Sequence, residues 1–114
     1  MKKMLYLLML AVFLVCSAPA HAANVWSGIK QVTSVKPIQT GGFSLTLSSE
    51  VDSACTTGGT DTIYIYPDQN SVTQEGAAAM LATALTALTT GMSVSVYYDN
   101  SVTQCYGRQL TISK

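Results

Sequence analysis

Apolar residues follow three different rhythms along this chain. The first is continuous. Met4 to Val15 is an unbroken apolar run, preceded by Lys2 and Lys3 and followed by small residues ending Ala20-His21-Ala22. The run falls short of the roughly 20 residues that span a bilayer. A positive start, a short apolar middle and an A-x-A end predict a cleaved secretory signal over residues 1–22. Ala18-Pro19-Ala20 offers a second cleavage point, so the mature chain starts at His21 or Ala23. Cys16 follows Val15, which is too large for a lipoprotein signal, so it is read as part of the apolar run.

The second rhythm is alternation, the mark of a half-buried strand. Val25 to Ile38 is rich in β-branched residues, but its apolar positions slip in phase, predicting one long bent strand with a bulge. Gly41-Gly42 predicts a hairpin turn. Phe43, Leu45 and Leu47 then alternate with Ser44 and Thr46. Thr62 to Tyr66 is a third strand, with Ile63 and Ile65 on one face and Tyr64 and Tyr66 on the other. Val94, Val96 and Tyr98 alternate in a fourth strand, and Leu110 and Ile112 in a fifth that Cys105 leads into.

The third rhythm is helical. Ala77, Met80, Leu81, Ala84, Leu85 and Leu88 form one apolar stripe. Ser71 and Gln74 have capping-box spacing, Glu75 suits the helix start, and Gly91 is the expected stop. The resulting order is three strands, one helix, two strands. This β-rich α+β order is that of a five-stranded oligonucleotide/oligosaccharide-binding (OB) barrel. A plain α+β meander packed on a helix shares the same string.

Removing the first segment changes the composition. The whole chain of 114 residues has 6 basic and 6 acidic side chains. Taking away 22 residues leaves 92, a single OB-like domain over 23–114, with 4 basic and 6 acidic groups. That mature chain is too weakly basic for a nucleic-acid binder and holds no stable membrane span. With cleavage after Ala22 it contains no histidine, which excludes Ser-His-Asp and Cys-His catalysis and any His-ligated metal. No cofactor is expected. Two cysteines remain, Cys55 and Cys105, and in an exported protein such a pair reads first as a disulfide. Gly41-Gly42 and Gly58-Gly59 lack phosphate-loop spacing and read as turns.

Two stretches carry a family resemblance. Thr90-Gly91-Met92-Ser93-Val94-Ser95-Val96 resembles the helix-to-strand junction of pentameric toxin B subunits of the subtilase cytotoxin type. Thr103-Gln104-Cys105-Tyr106-Gly107 is similar to a cysteine segment near the end of those subunits. The element order and exported size agree. The resemblance implies a ring-forming, glycan-binding subunit of a bacterial AB5 toxin, and it transfers no sugar-contacting residue.

Candidate surfaces follow from what is left. Trp26, Tyr64, Tyr66, Tyr97, Tyr98 and Tyr106 are the rings able to stack on a sugar. Tyr64, Tyr66, Trp26 and Tyr97 are the candidate binding residues, although tyrosines on barrel strands also serve plain packing. Glu50, Asp52 and Asp61 lie in or near the loop of Cys55, but nothing pairs them for acid–base work, so they are expected to be solvated and the protein not an enzyme. Beyond Glu75 the helix carries no charge. Its outer face is expected to present Ala78, Ala82, Thr83, Thr86 and Thr89, a candidate homo-oligomer face. The sequence therefore predicts an exported, periplasmic or secreted, non-enzymatic binding module for a glycan or cell surface. The rival is a periplasmic or envelope accessory protein with a structural or protein-interaction role.

Overall fold

The computed structural model describes residues 23–114. The predicted signal segment, 1–22, lies outside the described residues. Six strands and one helix follow in the order β1 Asn24–Trp26, β2 Lys30–Pro37, β3 Phe43–Leu47, β4 Thr62–Ile65, α1 Gln74–Thr90, β5 Ser93–Asp99 and β6 Gly107–Ser113.

The single long first strand of the sequence reading is two strands. Gly28 has φ +77°, a left-handed conformation that ends one run and redirects the next. Both pieces reach the same edge of β5, β1 at Tyr97–Asp99 and β2 at Ser93–Val94. The expected bulge is present, between Val32 and Ser34 of β2. β2 pairs β3 and β3 pairs β4, while β6 takes the other edge of β5. All these pairings are antiparallel. One parallel bridge, Tyr64 to Tyr106, brings β4 beside the residue preceding β6. The result is a half-barrel with one helix against it.

Inward residues follow the alternation. Phe43, Leu45, Leu47, Ile63, Ile65, Val94, Val96 and Tyr98 are all buried. Gly107 lies among them, where a Cβ would come within 2.9 Å of Ile65 and 3.0 Å of Ile63. The start of β6 therefore packs without a side chain.

The helix departs from its predicted stripe. Its N-cap is Thr73, whose hydroxyl accepts the Gly76 N–H at 3.0 Å. Ser71 cannot serve, because it sits at φ +63° in a turn with Asp68 and Asn70 also left-handed. Gly91 ends the helix as expected, at φ +73°, its N–H bonded to Ala87 O. The buried positions are Ala77, Ala84 and Ala87, with Met80 and Leu81 packed alongside. Leu85 and Leu88 are exposed. Alanines let the helix lie close on β2 and β6, and the turn this requires swings two leucines out. Among the described residues no helix is long and apolar enough to cross a membrane.

Cys55 and Cys105 form a disulfide with Cα atoms 5.3 Å apart. It ties the 48–61 loop to the segment entering β6. Thr57 N–H donates to Thr103 O, and the Thr57 hydroxyl donates to that of Thr103 at 3.1 Å. These bonds extend the same junction.

Candidate functional site

β1 is three residues long, and alternation decides what it shows. Val25 packs on the core, while Trp26 is 48% exposed. Register places Trp26 beside Tyr97, and the rings meet at 5.1 Å with a 34° tilt. On the far side of β5, Tyr97 is in register with Gln109. The register shifts just past Tyr97, so Arg108 is the extra residue of a bulge and both Arg108 and Gln109 are exposed. A β-bulge re-aims side chains in this way. The outcome is an exposed aromatic pair with the amide of Gln109 in register beside Tyr97. Tilted aromatic pairs hold each other's orientation, so the Trp26 ring is pre-set while its outer face remains open.

The other two predicted tyrosines belong to a separate cluster. Tyr64 and Tyr66 face outward, opposite the buried Ile63 and Ile65. Their rings are 5.6 Å apart edge-to-face, and Tyr66 lies 5.9 Å from Tyr106. Tyr106 joins them through the Tyr64–Tyr106 bridge, a contact between residues 42 apart in sequence that no local pattern signals. All three are half-buried. A Cβ at Gly58 would overlap the Tyr64 hydroxyl, and one at Gly42 would lie 2.6 Å from the Tyr66 ring. Burial raises the Tyr66 phenol above its usual value, helped by Tyr64 and Tyr106. This cluster packs on glycine backbone. The four candidate aromatics thus form two sites, Trp26 with Tyr97 and Tyr64 with Tyr66.

Tyr98, considered with the sugar-stacking rings, points inward, and its hydroxyl donates to Asp52 Oδ2 at 2.9 Å. Asn100 Nδ2 donates to the same oxygen at 3.1 Å, and Ala54 N–H donates to Asp52 Oδ1 at 2.9 Å. Asp52 is therefore not a solvated loop carboxylate, as its sequence context suggested. It fastens the cysteine loop to β5. The Ala54 amide holds its carboxyl below the ordinary value; burial opposes this, and Asn100 and Tyr98 add to it. Burial, then Asp52, pushes the Tyr98 phenol well above its usual range. Glu50 is exposed.

The sign of the Asp52 effect gives a prediction. A carboxyl whose folded pKa is lowered adds stability above its unfolded value, near 3.8, and loses it as pH falls through the folded value. Urea midpoints are expected to drop below about pH 4. Asp52→Asn is expected to be less stable at pH 6 and to lose less on acidification. Equal acid losses in the two proteins would contradict this role.

On the helix, Ala78, Ala82, Thr86 and Thr89 are exposed as predicted, whereas Thr83 is half-buried on the flank. The hydroxyls of Thr83, Thr86, Thr89 and Thr90 each donate to the carbonyl four residues back, at 2.7–3.0 Å. The outer face therefore offers methyl groups, with Leu85 and Leu88 beside them.

Comparison with known proteins finds no matching family model, no matching curated protein and no matching solved structure. The functional reading rests on the residues themselves. Of the two stretches that resemble toxin B subunits, Thr90–Val96 runs from the helix end into β5, and Thr103–Gly107 carries Cys105 and Tyr106 into β6.

Proposed function

We propose that this protein is an exported, non-enzymatic binding module of OB-like fold that takes saccharides on the Trp26–Tyr97 platform. The observation that carries the reading is the exposed Trp26 ring, oriented by Tyr97 and bordered by Gln109. A flat apolar ring next to polar groups matches a sugar, whose ring carbons present C–H faces and whose edge presents hydroxyls. Counting β1 and β2 as one broken strand gives five strands with the helix between the third and fourth, which supports the OB-like reading. The disulfide is compatible with export. The toxin B subunit resemblance points to the same ligand class, and it would make the charge-free face of Ala78, Ala82, Thr83, Thr86 and Thr89 a contact between copies in a homo-oligomer.

A second placement is favoured by one observation. OB barrels bind ligands on the face of their second and third strands, between two loops. Here that face carries Tyr64 and Tyr66, with Tyr106 alongside.

One experiment separates the two placements. Trp26 is the only tryptophan in the chain, so its fluorescence reports the platform directly. A glycan-array ligand is expected to change that emission, and Trp26→Ala is expected to weaken binding at least tenfold, about 1.4 kcal/mol, while Tyr66→Ala leaves it within a factor of three. Loss with Tyr66→Ala and retention with Trp26→Ala would move the site to the tyrosine cluster. Silence across a broad array would sink the saccharide reading.

A further inference from the structure

β6 is hydrogen-bonded along one edge. The Ser27 N–H donates to Val96 O, and the Val96 N–H donates to the Ser27 hydroxyl at 2.9 Å. The backbone groups of Val96 therefore face β1 and β2. Backbone groups of alternate residues point to opposite edges of a strand, so those of Ser95 and Tyr97 face β6. Their register partners are Thr111 and Gln109, which must face back toward β5. Leu110 and Ile112 then turn their N–H and C=O groups to the other edge. β4 reaches that edge only ahead of the strand, where Tyr64 N–H donates to Cys105 O, and it ends at Ile65. Among the described residues no partner for the Leu110 and Ile112 backbone is found. Leu110 and Ile112 are half-buried against the core, and Thr111 between them is exposed.

Natural edge strands are usually guarded by a central charge, a proline or a bulge, because an open edge is a template for another strand. The bulge of β6 is at Arg108, before the open stretch. Gln109-Leu110-Thr111-Ile112-Ser113 has no charge and no proline. Charge brackets it instead, with Arg108 before and Lys114 after, and no acidic residue lies between Tyr106 and Lys114. A second copy fits poorly. Antiparallel self-pairing of Leu110 with Ile112 sets Arg108 opposite Lys114, and like charges directly opposed destabilise a ladder.

We infer that the free edge of β6 is a strand-addition site for an extended peptide of a partner protein whose core is uncharged and whose ends are acidic. Main-chain bonds to Leu110 and Ile112 supply the pairing, and Arg108 and Lys114 select the acidic ends. The pairing groups are the backbone of Leu110 and Ile112, whereas the saccharide platform uses the Gln109 side chain of the same strand, and the inference does not depend on the saccharide reading.

The test uses the purified protein and two fluorescent heptapeptides, Asp-Val-Thr-Val-Thr-Val-Asp and its lysine-ended counterpart. The acidic peptide is expected to bind at least tenfold more tightly and to slow amide exchange at Leu110 and Ile112. Arg108→Glu with Lys114→Glu, both exposed, is expected to reverse the preference. Ile112→Pro deletes one edge N–H without touching the β5 ladder, a position where proline is tolerated, and is expected to abolish binding while near-ultraviolet circular dichroism stays native. Should that variant misfold, the charge-reversed protein decides. The inference is overturned if neither peptide binds, if charge reversal leaves the preference unchanged, or if the two amides are protected by self-association.

Discussion

Replacing Cys55 and Cys105 together by alanine is expected to lower the unfolding free energy by about 4 kcal/mol. The bridge closes a loop of 50 residues, and the chain-entropy cost of such a loop in the unfolded state sets that figure. Domains of this size have about 5–10 kcal/mol in total. The loss is therefore close to half of what holds the protein folded. Both sulfurs are buried, so the exchange also leaves a small void beneath the 48–61 loop. Urea unfolding of the double variant measures the change. A loss under about 1 kcal/mol would mean that the loop and the segment before β6 stay together without the bridge, through Asp52 and the Thr57–Thr103 bonds.

Phe43→Ala is expected to cost about 3–5 kcal/mol, the range for truncating a buried aromatic. Phe43 has no exposed surface and sits in register between Pro37 and Ile65. Neither backbone can collapse into the vacated volume without breaking its ladder. Leu85→Ala is the informative contrast. The leucine is 42% exposed, so its loss is expected to cost about 1 kcal/mol or less. Comparable losses at the two positions, read from thermal or urea melts, would show that Leu85 faces the core after all.

That contrast shows where sequence reading loses resolution. Strict alternation located β3, β4, β5 and β6, because a period of two has only two phases and one of them is charged or hydroxylated. The helix gave no such choice. Between Gly76 and Thr90 it has only alanine, leucine, methionine and threonine, so its apolar direction is shallow. The i, i+3, i+4 stripe takes in Leu85 and Leu88 along with Ala77 and Ala84, but close packing on β2 and β6 buries Ala87 and leaves the two leucines exposed. The broken first strand depends on one glycine, Gly28, whose left-handed backbone no hydrophobic pattern encodes. The aromatic groupings were half legible. Tyr64 and Tyr66 share a face by parity alone, whereas the Trp26–Tyr97 pair and the addition of Tyr106 depend on which strands become neighbours. Asp52 was the least legible, since its partners Tyr98 and Asn100 lie 46 and 48 residues away.

The back-bonded threonines have a calorimetric consequence. Thr83, Thr86, Thr89 and Thr90 look polar in any hydropathy count, but their hydroxyls are already engaged by the helix. With the donors spent inside the helix, they offer water a methyl group and an oxygen that can only accept. Hydration of such a surface is registered as heat capacity rather than as hydrogen-bond enthalpy. Any event that covers this face should therefore carry a more negative heat-capacity change than its residue types suggest.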